Sequence, residues 1–230
     1  MSHVSGLMTL VRPADRAGVA DEAVFPAITS LEDPATYLNV PASSRSLICM
    51  INPGRAEEIA RGLLEQELPR RWAHVQGVAA TARTLCGMLG DDADLIVIAA
   101  WLHDVGYAPT IASTGFHALD GARYLRDECR ADSLLCRLVA HHSGATFEAA
   151  ERGLRRELTD EFPLAPVDLL DALTYCDMTT GPDGQRTSVQ QRLAEIQTRY
   201  RPDDPVGRAL AKSAPQIRES AARVARRTYS

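Results

Sequence analysis

The run DDADLIVIAAWLHD at residues 91–104 constrains the fold more than any other stretch of the chain. It opens on acidic residues, which favour a helix N-terminus, and is then apolar on every side through Leu102. A helix with no polar face belongs at the centre of a protein, covered all round by other elements. Yet this one ends on His103 and Asp104. An unpaired carboxylate in an apolar interior is strongly unfavourable. The segment therefore demands two things: a surrounding layer of structure, and strong partners for its polar end.

The flanking sequence supplies the layer. RAEEIARGLLEQEL places Ile59, Leu63, Leu64 and Leu68 on one helix face. After Pro69, RRWAHVQGVAATARTLCGML reads as a long helix with Val75, Val78, Ala79, Leu85 and Leu89 inward. Further helices are expected near 116–128, 131–142, 146–158, 166–179, 187–200 and 206–226. Gly106, Gly115, Gly144 and the GPDG at 181–184 provide the stops. The last helix turns Leu210, Ile217, Ala221 and Val224 inward, and its Arg218, Arg223, Arg226 and Arg227 suit a solvated face with cations near the C-terminal end. Residues 1–54 carry Pro13, Pro26, Pro34, Pro41 and Pro53 without sustained periodicity, and SRSLICMI at 45–52 is their candidate strand. The expected fold class is all-α: an irregular N-terminal arm over 1–54, then a helical domain over 55–230 with its core at about 70–200.

With 230 residues and 45% hydrophobic content, the chain can bury one well-packed domain. A net charge of −5 argues against a general nucleic-acid binder. The five cysteines stand apart at 49, 86, 129, 136 and 176 with no C-x-x-C pair, and no secretory signal opens the chain. They read as reduced, mostly buried thiols of a cytoplasmic protein, with Cys86 and Cys136 packing in apolar helices. No apolar stretch approaches the ~20 residues that span a bilayer, so no membrane partner is expected.

The polar residues inside the apolar helices carry the functional signal. Of six histidines, His3 lies in the arm, whereas His74, His103, His117, His141 and His142 all fall in or beside core helices. Asp177 comes late in another apolar helix, LLDALTYCDMTT. Imidazoles and carboxylates converging from separate helices are what a divalent metal requires, and a metal would neutralise the buried acids and satisfy the rings together. Such ligands accept Fe, Mn, Co, Ni or Zn.

The order of these residues is familiar: a helical His in RWAHVQGVA, His-Asp ending a helix in AAWLHDVGY, and a later helical Asp in DALTYCDMTT. It resembles the HD superfamily of metal-dependent phosphohydrolases over roughly residues 70–200. The resemblance implies that the domain is the family's helical bundle and that His74, His103, Asp104 and Asp177 bind one metal. By analogy with two-metal members, His117 and His141 would hold a second ion with Asp104 bridging. His142 is then either a further ligand or a group that supports one. Many members have a basic residue where this chain has Tyr107, a candidate substrate contact whose missing charge Arg70, Arg71 or Arg186 could supply at the mouth. Arg186 is the preferred one, because the GPDG turn should return it to the Asp177 end of its helix. No GYP follows HHSGA, which sets the chain apart from the cyclic-di-GMP phosphodiesterases. Arg70, standing where an acid would be needed, disfavours a third metal.

The resemblance implies hydrolysis of a nucleotide or another small phosphate ester by a metal-bound hydroxide, with Asp104 fixing the geometry and helping to take the proton. The same ligand set serves di-iron oxygenases of the superfamily, and some HD modules are regulatory and non-catalytic. A homo-oligomer is compatible with everything above.

Overall fold

The computed structural model describes residues 51–228, so the readings made on residues 1–50, including Cys49 and all but the last two residues of the candidate strand, lie outside the described residues. Helix α1 (Pro53–Leu64) opens the described part, and Asn52 caps it by accepting from the Arg55 N–H at 2.9 Å. Pro69 starts α2 (Pro69–Arg83) at a position where a missing N–H is harmless. The expected long helix stops there. The Thr84 hydroxyl donates to the Thr81 carbonyl at 2.7 Å, and the chain resumes as the short α3 (Cys86–Leu89). That break turns Cys86 out to solvent, against the expectation of a packed thiol. Cys136 and Cys176 are buried, and burial pushes the Cys136 thiol up to about 12.

Next come α4 (Ala93–Leu102), α5 (His117–Asp127), α6 (Ser133–His141), α7 (Ala145–Glu151) and α8 (Arg155–Glu161). The last two replace the single helix expected over 146–158, because the chain turns at Gly153 with φ +74°. Then follow α9 (Val167–Met178), α10 (Val189–Arg199) and α11 (Pro205–Thr228). Ser188 and Gln191 form a capping box at the start of α10. Among the described residues there is no β-strand, only an isolated bridge between Thr180 and Arg186.

As its composition requires, α4 is the central element. Every residue from Ile96 to Leu102 is buried, and α1, α2, α6 and α9 all pack on it. Trp72 of α2 stacks on Trp101 with ring centroids 5.5 Å apart. Helix α11 closes over α7 and α9 through Leu210, Ile217, Ala221 and Val224, the face read from the sequence. On its outer side Arg223 forms a two-pronged pair with Asp171 at 2.6 and 2.8 Å. None of the described helices is long and apolar enough to cross a membrane.

Candidate metal centre

Three buried histidines share one local device. His74 on α2 donates Nδ1–H to the Gly181 carbonyl at 3.0 Å, His103 to Ala100 at 2.8 Å, and His142 to Val139 at 2.7 Å. A carbonyl only accepts, so each Nδ1 carries the proton, and in the neutral ring Nε2 keeps its lone pair. For His103 and His142 the acceptor belongs to the preceding helical turn. For His74 it arrives on the 181–184 turn, which is pressed onto α2. A Cβ on Gly184 (φ +81°) would lie 2.4 Å from the Ala73 carbonyl oxygen, and one on Gly77 would lie 2.3 Å from that of Gly184. Only glycines permit that approach.

The freed Nε2 atoms point at Asp104. Its Oδ2 lies 3.4 Å from His103 Nε2 and 3.8 Å from His74 Nε2, while Oδ1 lies 3.5 Å from His117 Nε2 and 4.0 Å from His142 Nε2. Asp177 Oδ1 is 3.1 Å from His74 Nε2. His103 Nε2 is buried with no hydrogen-bond partner. His117 and His142 bring their Nε2 atoms within 3.2 Å of each other. Ligand atoms of three overlapping groups fall close enough to share an ion: His74–His103–Asp104, His103–His142–Asp177 and Asp104–His117–His142. A buried orphan nitrogen and two imidazole nitrogens face to face are satisfied together by a cation, so the residues present fit a metal.

Two loops deliver the second group. Gly106 sits against the first turn of α5, where a Cβ would be 2.0 Å from the His117 carbonyl oxygen. The buried Asp120 accepts from the backbone and hydroxyl groups of both Ser113 and Thr114 at 2.8–3.1 Å, tying down the loop ahead of His117. At the end of α6 the backbone leaves the helix at His142 (φ −61°, ψ 151°), then passes through Ser143 (φ +47°) and Gly144 (φ +80°). Ser143 in turn donates its hydroxyl to Asp177 Oδ2.

Electrostatics follow from the packing. Burial alone would raise Asp104, but the charge of Arg71 and of His103 outweighs it and holds the carboxyl well below its usual range. Asp177 is likewise lowered against its burial, by the hydrogen bond that His74 donates from Nε2 when its ring carries both protons and by the charge of His103. Burial lowers His117 and His142, each aided by a neighbouring imidazole. For His103 the penalty of burial is overcome by the adjacent Asp104, and the net shift is upward. Ionised carboxylates and neutral imidazoles at His117 and His142 are the forms that bind metal.

The family model that matches this chain is the HD domain, over residues 71–175. The chain carries an HD domain. That family is mostly metal-dependent phosphohydrolases and includes non-catalytic members. No curated protein and no solved structure matches the chain significantly. The matched span of the HD domain includes His74, His103, Asp104, His117, His141 and His142 and ends two residues before Asp177.

The structure gathers His74, His103, Asp104, His117, His142 and Asp177, and it leaves out two residues expected from sequence. His141 points away: Nε2 bonds the Phe162 carbonyl at 2.6 Å and Nδ1 meets the Thr146 hydroxyl at 3.3 Å, so His142 takes the place beside His117. Arg186 is instead bonded to the Thr81 hydroxyl at 3.0 Å and to the Tyr175 hydroxyl at 3.4 Å. The GPDG turn does return to the site, but through the backbone carbonyl of Gly181.

Beside the centre lies a cleft enclosing about 100 Å³. Arg71, Arg192 and Arg199 line it together with Ile196, Leu210 and Ile217. Arg71 bonds Asp104 Oδ2 at 2.6 Å and lies 4.0 Å over the Tyr107 ring. His117 stacks on the same ring at 4.0 Å and 13°. Two groups at that distance cannot share one face, so Tyr107 is sandwiched and presents no free ring face to a substrate. Burial pushes its phenol up, which keeps it neutral. Arg192 belongs to α10, beyond the matched span, and no periodicity singles it out.

Proposed function

We propose that this chain is a metal-dependent phosphohydrolase acting on a small phosphate ester. The observation that carries the reading is Asp104, whose two oxygens face two different histidine pairs, as a carboxylate shared by two cations must. When bound, two divalent ions would supply positive charge to phosphoryl oxygens and acidify a water for in-line attack. The chain's own residues provide the rest. Asp104 and Asp177 stay ionised, and the Gly181, Ala100 and Val139 carbonyls keep the imidazoles aimed inward. Tyr107 holds Arg71 beside Asp104, where its guanidinium can face an anion.

Ile196, Leu210 and Ile217 limit water around the centre, and the narrowness of the cleft selects against bulk. Drug-sized ligands occupy roughly 300–1,000 Å³, so a cleft of about 100 Å³ suits a phosphate with a small group better than a whole nucleotide.

The test is metal loading with Mn, Fe, Co, Ni and Zn in turn, elemental analysis, and phosphate release from a panel of small esters. Turnover that requires one of these metals supports the reading. No turnover with any of them, while iron-loaded protein consumes oxygen, replaces it with the oxygenase.

A further inference from the structure

Arg192 is nine-tenths buried, and its Nε is the one guanidinium nitrogen among the described residues that is shut from solvent without a partner. Its Nη1 bonds Glu195 at 2.7 Å. The opposite edge, Nε with Nη2, is the one that grips an oxyanion with two parallel N–H groups. In other arginines of the described residues that edge is filled: Arg70 gives it to Asp183 at 2.9 and 3.4 Å, and Arg223 gives it to Asp171 at 2.6 and 2.8 Å. Arg199, the neighbouring cleft arginine, gives it to Glu195 at 2.8 and 3.3 Å. On Arg192 the carboxylate oxygen Asp177 Oδ1 stands 3.9 Å from Nη2, too far for a hydrogen bond.

A buried, unfilled fork beside the metal centre is a receptor for an anion. We infer that the Nε–Nη2 edge of Arg192 binds the unesterified oxygens of a phosphate and makes the site selective for phosphomonoesters over diesters, an inference that rests on the phosphohydrolase reading above. The selectivity follows from counting oxygens. A fork takes two unesterified oxygens, and a diester, which has only two and carries one negative charge fewer, must share both between the fork and the cations of the centre. A monoester has three. The same cleft is lined by Ile196, Leu210 and Ile217, which offer apolar contact to the ester's small organic group.

The experiment compares wild type, Arg192→Gln and Arg192→Lys in two measurements. The first is calorimetric binding of orthophosphate to the metal-loaded and the metal-free protein. The second is kcat/KM on 4-nitrophenyl phosphate and on bis(4-nitrophenyl) phosphate, with metal content and circular dichroism recorded for each variant. Arg192→Gln should weaken orthophosphate binding by roughly 10- to 100-fold and lower monoester kcat/KM by a similar factor, because a charge-assisted pair of hydrogen bonds is lost. Diester kcat/KM should change less than about twofold. Arg192→Lys should recover little, since a point charge cannot replace the fork, and it serves as the test if the Gln variant misfolds. Wild type that binds no orthophosphate, unchanged binding in both variants, or equal losses on the two esters would overturn the assignment. Orthophosphate held through Arg192 with no ester turned over would sink the hydrolase reading and keep the anion site. Ester turnover indifferent to Arg192 would do the reverse.

Discussion

Replacing Gly106 with Ala tests how the second half of the metal centre is assembled. An added Cβ would lie 2.0 Å from the His117 carbonyl oxygen, 2.6 Å from the Gly121 nitrogen and 2.8 Å from the His117 carbonyl carbon. All three are backbone atoms, so no flexible side chain can yield. To reach an ordinary contact of 3.4 Å the start of α5 must retreat by about 1.4 Å. Overpacking of this kind costs roughly 1–3 kcal/mol, offset by about 0.4–1 kcal/mol from the reduced freedom of the unfolded chain. A net destabilisation of about 1–2 kcal/mol is expected. His117 moves with the backbone, away from Asp104 and His142, and a 1 Å misplacement can cost about 100-fold in rate. Gly62→Ala is the control: this exposed glycine on α1 has nothing within 4 Å of an added Cβ. It should stabilise by roughly 0.4–1 kcal/mol. Urea unfolding measures both, and elemental analysis follows the metal. A Gly106→Ala protein as stable as wild type, with unchanged metal content and turnover, would refute the reasoning.

His142→Ala should strip metal, whereas His141→Ala should keep it and lose about 1–3 kcal/mol, because the Phe162 carbonyl is left unpaired; equal metal loss in the two variants would contradict the geometry. Arg186→Ala should leave turnover within about twofold of wild type while lowering the unfolding midpoint, since its partners are Thr81 and Tyr175. In metal-free protein, Asp104 and Asp177 titrate below their ordinary value of 3.8. A depressed carboxylate contributes stability that is fully present above its unfolded pKa and fades as pH falls through the folded one. Urea midpoints should therefore owe no change between pH 7 and about 5 to these groups, with losses below about pH 4 that Asp177→Asn reduces. A decline starting near pH 6 that Asp177→Asn abolishes would count against it.

Much of the site was legible because burial and polarity conflict in plain view. The apolar run of α4 ending on His103 and Asp104 could be stable only with partners, and His74 and Asp177 lay in helices apolar enough to be those partners. The choice between His141 and His142 was not legible. It depends on where the backbone leaves helical geometry, and Ser143 in the left-handed region gives no warning in sequence. Arg186 failed for a related reason: the Thr180–Arg186 bridge fixes which side of the hairpin its side chain takes. The break after Arg83 came from a hydroxyl competing for a helix carbonyl, a local event that periodicity does not register. Gly106 looked like a helix stop, yet its function is close approach to α5, which only three-dimensional packing reveals. Asp120 carried a weak signal, as the acid in the first turn of α5, but its partners Ser113 and Thr114 lie in the loop before it.

The most direct measurement of the central claim is the metal-to-protein ratio of fully loaded wild type and of Asp104→Ala, read by elemental analysis after removal of free ions. A carboxylate shared between two histidine groups predicts about two ions per chain in wild type and loss of both in the variant. A wild-type protein that binds no metal, or an Asp104→Ala variant that retains the full wild-type complement, would contradict it.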